Sequence, residues 1–144
     1  MKEYTEPRMH TAEHLLNQAM VRMFACGRAF SSHIEKKKSK CDYRFPRDLT
    51  AAETAELERR VNEVIKADLP VSETFVDRAE AAARFDLGRL PGGAGQRLRV
   101  VMAGDYDACP CIGQHVNSTG EIGAFRVVST GFEAGVLRVR FKLQ

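Results

Sequence analysis

Two short spacings in this sequence could do chemistry. His10-x-x-x-His14 and Cys111-x-x-x-His115 each hold three residues between their members. One helical turn or a tight loop aims such a pair at a single point. Together they offer three imidazoles and one thiolate, a borderline-soft donor set matched to Zn²⁺, which takes tetrahedral nitrogen and sulfur ligands. The pairs lie near opposite ends of the chain, so the centre exists only if the fold joins those ends. Cys109, two residues before Cys111, competes with it as the sulfur donor. Thr11 follows His10 and Glu13 precedes His14. A zinc protease places its general-base Glu directly after the first His, so protease chemistry is not indicated.

The elements that must position these residues follow from periodicity. A first helix is expected over 9–26, ended by Gly27, with Leu15, Leu16, Ala19, Met20, Met23 and Phe24 as its apolar stripe. At about 100° per residue His10 and His14 fall on the flank of that stripe. Residues 28–45 read as two extended segments around a basic turn, ended by Pro46. Thr50-Ala51-Ala52-Glu53 is a capping box opening a helix that turns Leu57, Val61, Val64 and Ile65 inward and stops before Pro70. A strand over 71–76 leads to a short Ala-rich helix over 77–85, capped by Asp77-Arg78-Ala79-Glu80. The Gly-rich loop 90–95 lacks both the Walker ending and the Rossmann spacing, so no phosphate cradle is expected there. Strands are expected over 98–103, 124–129 and 135–143. The last alternates cleanly between Leu137, Val139, Phe141, Leu143 and Val136, Arg138, Arg140, Lys142. The expected architecture is α+β: a two-layer sandwich of mostly antiparallel sheet with helices packed on one face, in a single domain over 1–144.

Composition narrows the function. The chain has 144 residues and 16.1 kDa, with 44% hydrophobic and 28% charged residues, which is ordinary for one globular domain and excludes disorder. Its net charge of +3 permits a polyanionic partner only through a local patch. Lys36, Lys37, Lys38, Lys40, Arg44 and Arg47 form the densest basic stretch, suited to phosphate contacts. No apolar run approaches the roughly 18 residues of a membrane span, and residues 1–6 carry no apolar signal core. The four cysteines (Cys26, Cys41, Cys109 and Cys111) therefore read as thiols in a reducing compartment, and a cytoplasmic protein is expected.

His10-Thr-Ala-Glu-His14-Leu-Leu, then Cys111-x-x-x-His115-Val, then Thr119-Gly120-Glu121-Ile122-Gly123 resembles the editing domain of alanyl-tRNA synthetases. The related domain of threonyl-tRNA synthetases is a less close match. The likeness runs from about residue 9 to the end. Cys41-Asp42-Tyr43-Arg44-Phe45 is similar to the family's Arg-Phe-Asp-Phe strand, and Leu49-Thr50 with Glu58, Val61-Asn62 and Ile65 to its following helix. The length leaves no room for a synthetase's charging domains, so the likeness is to the stand-alone, AlaX-type proteins. The resemblance implies hydrolysis, in trans, of the ester in mischarged tRNA, chiefly seryl-tRNA(Ala). It implies a zinc held by His10, His14, Cys111 and His115, and its register favours Cys111 over Cys109. Ser31 or Ser32 falls where the family bonds the substrate hydroxyl, and Gln114 sits between two ligands where it can orient a water. Positions 112–114 read Ile-Gly-Gln where the family usually has Gly-Gly-Thr. His33 is either a general base or metal neighbour, or a solvated strand residue. Glu121 is either a hydrogen-bond partner of a zinc histidine or a turn former. Lys36, Lys37, Lys38, Lys40 and Arg44 would hold tRNA, with recognition confined to the acceptor end. Two alternatives stand beside this reading: a zinc-stabilised binding module without hydrolysis, and a deacylase for another charged tRNA or a small aminoacyl ester.

Overall fold

The first helix, α1 (Pro7–Phe24), opens on a proline, whose missing N–H is one the first turn could not pair anyway. The computed structural model describes residues 6–85 and 97–144, and the Gly-rich stretch 90–95 lies outside them. Leu15, Leu16, Ala19 and Met20 are fully buried, with Met23 and Phe24 packed against them. The helix does not run to Gly27. It ends at Phe24 because Ala25 turns left-handed, at φ 54°, and donates its N–H to Val21 O. A strand β1 (Ser31–His33) and a strand β2 (Ser39–Arg44) flank the lysine turn.

The helix α2 (Ala51–Ala67) starts on the anticipated box. Thr50 Oγ1 accepts from Glu53 N at 3.1 Å, and Glu53 Oε1 accepts from Thr50 N at 2.9 Å. Leu57, Val61 and Ile65 are its buried face, and Val64 packs half-buried beside them. A strand β3 (Val71–Asp77) and a short helix α3 (Arg78–Arg84) follow, but the Asp77 side chain makes no capping bond. The remaining strands are β4 (Arg97–Ala103), β5 (Asp107–Pro110), β6 (Phe125–Glu133) and β7 (Val136–Leu143). Strand β5 has only four residues, too few to show an alternation, which is why the sequence conceals it.

The fold is α+β with antiparallel pairing throughout the described strands, as expected. The strands divide, however, into two sheets, ordered β1-β2-β7-β6 and β3-β4-β5. The inward faces of β2 and β7 supply Cys41, Tyr43, Leu137, Val139 and Phe141, all 0% exposed, to one core shared with α1 and α2.

Thr119-Gly120-Glu121-Ile122-Gly123 is a 3₁₀ turn that fastens three elements together. Thr119 Oγ1 donates to Val64 O and accepts from Leu69 N, both at 2.8 Å, closing the end of α2. Gly120 N donates to Asp68 Oδ1 at 2.9 Å, and a Cβ at Gly120 would collide with that carboxylate. Ile122 is wholly buried, and its carbonyl accepts from Arg8 Nη2 at 2.6 Å, tying down the start of α1. Gly123 has φ +91°, and a Cβ there would lie 2.8 Å from Gln144 O. Thr119→Val would remove the side-chain partner of the half-buried Val64 carbonyl and Leu69 N–H. It should lower stability by about 1–3 kcal/mol, read as a lower urea midpoint with an unchanged slope.

Candidate metal centre

The fold brings the two ends of the chain together at the four residues with ligand spacing. One ligand atom from each of His10, His14, Cys111 and His115 lies within 4.8 Å of the others. Cys111 Sγ is 3.4 Å from His10 Nε2 and 3.4 Å from His115 Nε2. The imidazoles pack closely, with His10 and His115 stacked at 4.0 Å between centroids. His10 and His14 are 1% and 5% exposed, so this flank of the helix is buried along with its apolar stripe.

Two of the imidazoles are hydrogen-bonded at Nδ1 by a partner from another segment, and the third faces a carboxylate. His10 Nδ1 lies 3.1 Å from Gln114 O, a bond in which it can only donate. His115 Nδ1 lies 2.9 Å from Thr11 Oγ1. That hydroxyl gives its one proton to Pro7 O at 2.9 Å, so it accepts from His115 and also from Val116 N at 3.2 Å. His14 Nδ1 lies 3.6 Å from Asp107 Oδ2. Protonation at Nδ1 leaves the Nε2 lone pairs of His10 and His115 directed at the cluster, the arrangement in which outer hydrogen bonds orient metal ligands.

Electrostatics agree with this donor set. Burial, followed by the neighbouring His14 and His10, pushes the His115 imidazole well below its ordinary range, so the ring is neutral. Burial pushes the Cys111 thiol up to about 12, and only a strong local cation would ionise it. Burial alone would raise Asp107, yet its bonds to His14 and Arg28 hold it down to about 2. Arg28 Nη1 meets Asp107 Oδ1 at 2.7 Å and Gln18 Nε2 donates to the same oxygen at 2.9 Å. Three converging imidazoles, that of His115 neutral, and a thiol that a strong cation would ionise fit zinc.

The ligand loop 111–115 is braced from β4. Cys111 N donates to Arg99 O at 3.1 Å, and Arg99 Nη1 donates to Gly113 O at 2.7 Å. The Arg99 guanidinium is held in turn by Glu73. Thr11, Asp107 and Arg99 are the site residues that sequence reasoning missed. Thr11 could have been suspected from its place between two ligands. Asp107 and Arg99 reach the site only through strand pairing.

The other expected residues are distributed unevenly. Cys109 pairs with Val101 across β4 and β5 and lies outside the cluster, leaving Cys111 as the sulfur donor of the group. Gln114 exposes its side chain and contributes its backbone carbonyl. Ser31 lies opposite Asp42, on the outward face of the sheet. Ser32 lies opposite Cys41 on the inward face, with its Oγ 3.4 Å from Cys41 Sγ. His33 is exposed and pairs with Glu35 at 3.2 Å, the solvated strand position. Glu121 caps its own turn by accepting from Ser118 N at 2.9 Å, so it is the turn former and does not hold a ligand. Lys36, Lys37 and Lys38 are exposed and Lys40 half-buried, while Arg44 lies 3.9 Å over the Phe30 ring.

A family described as the threonyl and alanyl tRNA synthetase second additional domain matches residues 98–140. An alanine–tRNA ligase of Methanopyrus kandleri is 34% identical over 93% of this chain, and one of Aeropyrum pernix is 36% identical over 97%. One from Neisseria gonorrhoeae is 36% identical over 92%. The chain is an alanyl-tRNA synthetase editing-domain-like protein. It spans about 15% of the length of those ligases. Within the matched family segment lie Cys111, His115, Asp107 and Arg99, while His10 and His14 are supplied by α1. Among the described residues, no helix is long and apolar enough to cross a membrane.

Two outcomes test the centre. His14→Ala with Cys111→Ala should abolish stoichiometric zinc retention, measured by elemental analysis after dialysis. Asp107→Asn keeps the side chain's shape but loses the charge facing His14. It should weaken zinc about 10–100-fold in a chelator competition, and an unchanged affinity would show that Asp107 does not orient the ligand.

Proposed function

We propose that this chain is an aminoacyl-tRNA deacylase that hydrolyses the ester of mischarged tRNA, with seryl-tRNA(Ala) as substrate. It would act in trans, as a single domain over 1–144, in the cytoplasm. The observation that carries the reading is the four-donor cluster with its Nδ1 bonds, in a chain related to a synthetase editing domain. His10, His14, Cys111 and His115 hold the metal. Zinc, when bound, supplies a Lewis acid that polarises a carbonyl or acidifies a water.

The chain's own groups do the rest. Thr11, Asp107 and the Gln114 carbonyl keep the three imidazoles from turning. Arg99 fixes the backbone of the ligand loop, so the substrate meets a preformed wall. Ser32, on the inward face of β1, bonds the hydroxyl of a misattached serine. Alanine has no such group and would leave that hydrogen bond unmade, which is the basis of discrimination. The Gln114 side chain, exposed between two ligands, orients the attacking water. Lys36, Lys37, Lys38, Lys40 and Arg44 contact phosphates near the acceptor end.

One feature favours a second reading. Four protein ligands close a tetrahedral zinc, which is usual for a structural ion. A zinc-stabilised tRNA-binding module would have the same cluster and no turnover.

Deacylation separates the two. Purified protein with its zinc content verified should accelerate hydrolysis of seryl-tRNA(Ala) over buffer and spare alanyl-tRNA(Ala). Ser32→Ala should narrow that preference about tenfold or more. Turnover of other aminoacyl esters at the same rate would point to a broader deacylase. No acceleration with zinc bound would support the binding module.

A further inference from the structure

The outward face of the four-stranded sheet carries an unusual charge distribution. Cross-strand partners share a face, so the register identifies its residues. Lys40 lies opposite Arg140, Asp42 opposite Arg138, and Arg44 opposite Val136. Across the next pairing, Arg126 lies opposite Lys142 and Ser129 opposite Arg140. Six cations stand there against the carboxylates of Asp42 and Glu133, in a chain whose whole net charge is +3.

The pairing state of these cations contrasts with that of the arginines on α2. On α2 the arginines are matched: Arg59 with Glu56 and Glu63, and Arg60 with Glu56. Arg47 is held by Glu53 and Arg28 by Asp107. On the sheet face, Arg138 is bound through two nitrogens to Asp42. Among the described residues, Lys40, Arg44, Arg126, Arg140 and Lys142 form no ion pair. Arg44 instead covers Phe30, which is 38% exposed at the edge of this face. Strand spacings give the patch a length of about 20 Å from the Arg44 row to the Lys142 row and a width of about 10 Å.

We propose that this face is a docking surface for the phosphate backbone of RNA, with Arg126, Arg140 and Lys142 extending the footprint beyond the lysine turn. The proposal rests on tRNA being the partner. A mutually repelling row of cations, most of them without a carboxylate partner, is stabilised by an external polyanion, and its regular spacing suits a polymer with a repeating charge. Binding is sequence-independent and salt-steep. The five cations of this face that lack a carboxylate contribute a factor of about 500 to the loss of affinity between 50 and 200 mM salt, from a slope of about 0.9 per contact, in addition to the part due to the lysine turn.

The experiment is fluorescence anisotropy with labelled, uncharged tRNA, which requires no hydrolysis and so stands or falls separately from the deacylase reading. Arg126→Gln with Arg140→Gln and Lys142→Gln should divide the salt-dependent loss by about 40, the value for three contacts removed. The same number of charges removed from α2, as Arg59→Gln, Arg60→Gln and Lys66→Gln, should leave it unchanged. If the sheet variant does not fold, Arg126→Gln with Lys142→Gln, both at exposed positions, should divide the loss by about 12. An unchanged salt dependence in the sheet variants overturns the proposal, as does an equal reduction in the α2 variant. So does complete loss of binding when Lys36, Lys37 and Lys38 alone become Gln. Vesicles of 70% phosphatidylcholine and 30% phosphatidylserine provide the last arm. Vesicle binding that depends on Arg126, Arg140 and Lys142 while tRNA binding does not would assign the face to a lipid surface.

Discussion

A helix buried on nearly every side must find partners for its polar groups, and the first half of α1 is such a helix. From Met9 to Asn17 each residue is buried, among them His10, Thr11, Glu13, His14 and Asn17. An unsatisfied polar group in such a place costs a large fraction of a small protein's stability. The surrounding architecture answers that demand. Gln114 and His115 approach from the ligand loop, Asp107 from β5, and Tyr43 from β2, whose hydroxyl donates to Asn17 Oδ1 at 2.8 Å. Asn17 Oδ1 also takes Ala29 N, which fixes the chain as it leaves the helix. Four distant segments are thus held to one helix by polar bonds, and the donor cluster lies where they meet.

The same demand explains what could be read from the residues in order. His10, His14, Cys111 and His115 were recognisable because ligand spacing is local and because donor type is a property of the residue. The α2 capping box and the alternation of β7 were legible for the same reason. Asp107 and Arg99 were not, since their roles arise from the pairing of β5 with β4 and the packing of β5 on α1. The division into two sheets was hidden because alternation shows that a strand has an inner face but not which sheet it joins. Thr-Gly-Glu-Ile-Gly was visible as a pattern, but its work is structural: two glycines permit close approach while Thr119 and Ile122 fill the space beneath.

Charge is sorted as carefully as polarity. The exposed side of α2 is laced with arginine–glutamate pairs at helical spacing, which lowers its long-range field. The sheet's outward face keeps most of its cations without such partners. A modest overall charge therefore conceals one neutralised surface and one strongly positive surface.

The contacts around Gly123 have a topological consequence. Arg8 at the beginning of α1 and Gln144 at the end of β7 both reach this one residue, and Ala124 exchanges backbone bonds with Gln144. Entry to and exit from the folded unit are thus adjacent in space. A unit with neighbouring entry and exit points can be spliced into a host chain as a bulge, without pulling the host's flanking segments apart. The geometry that lets His10 and His115 share one centre also sets Arg8 and Gln144 side by side.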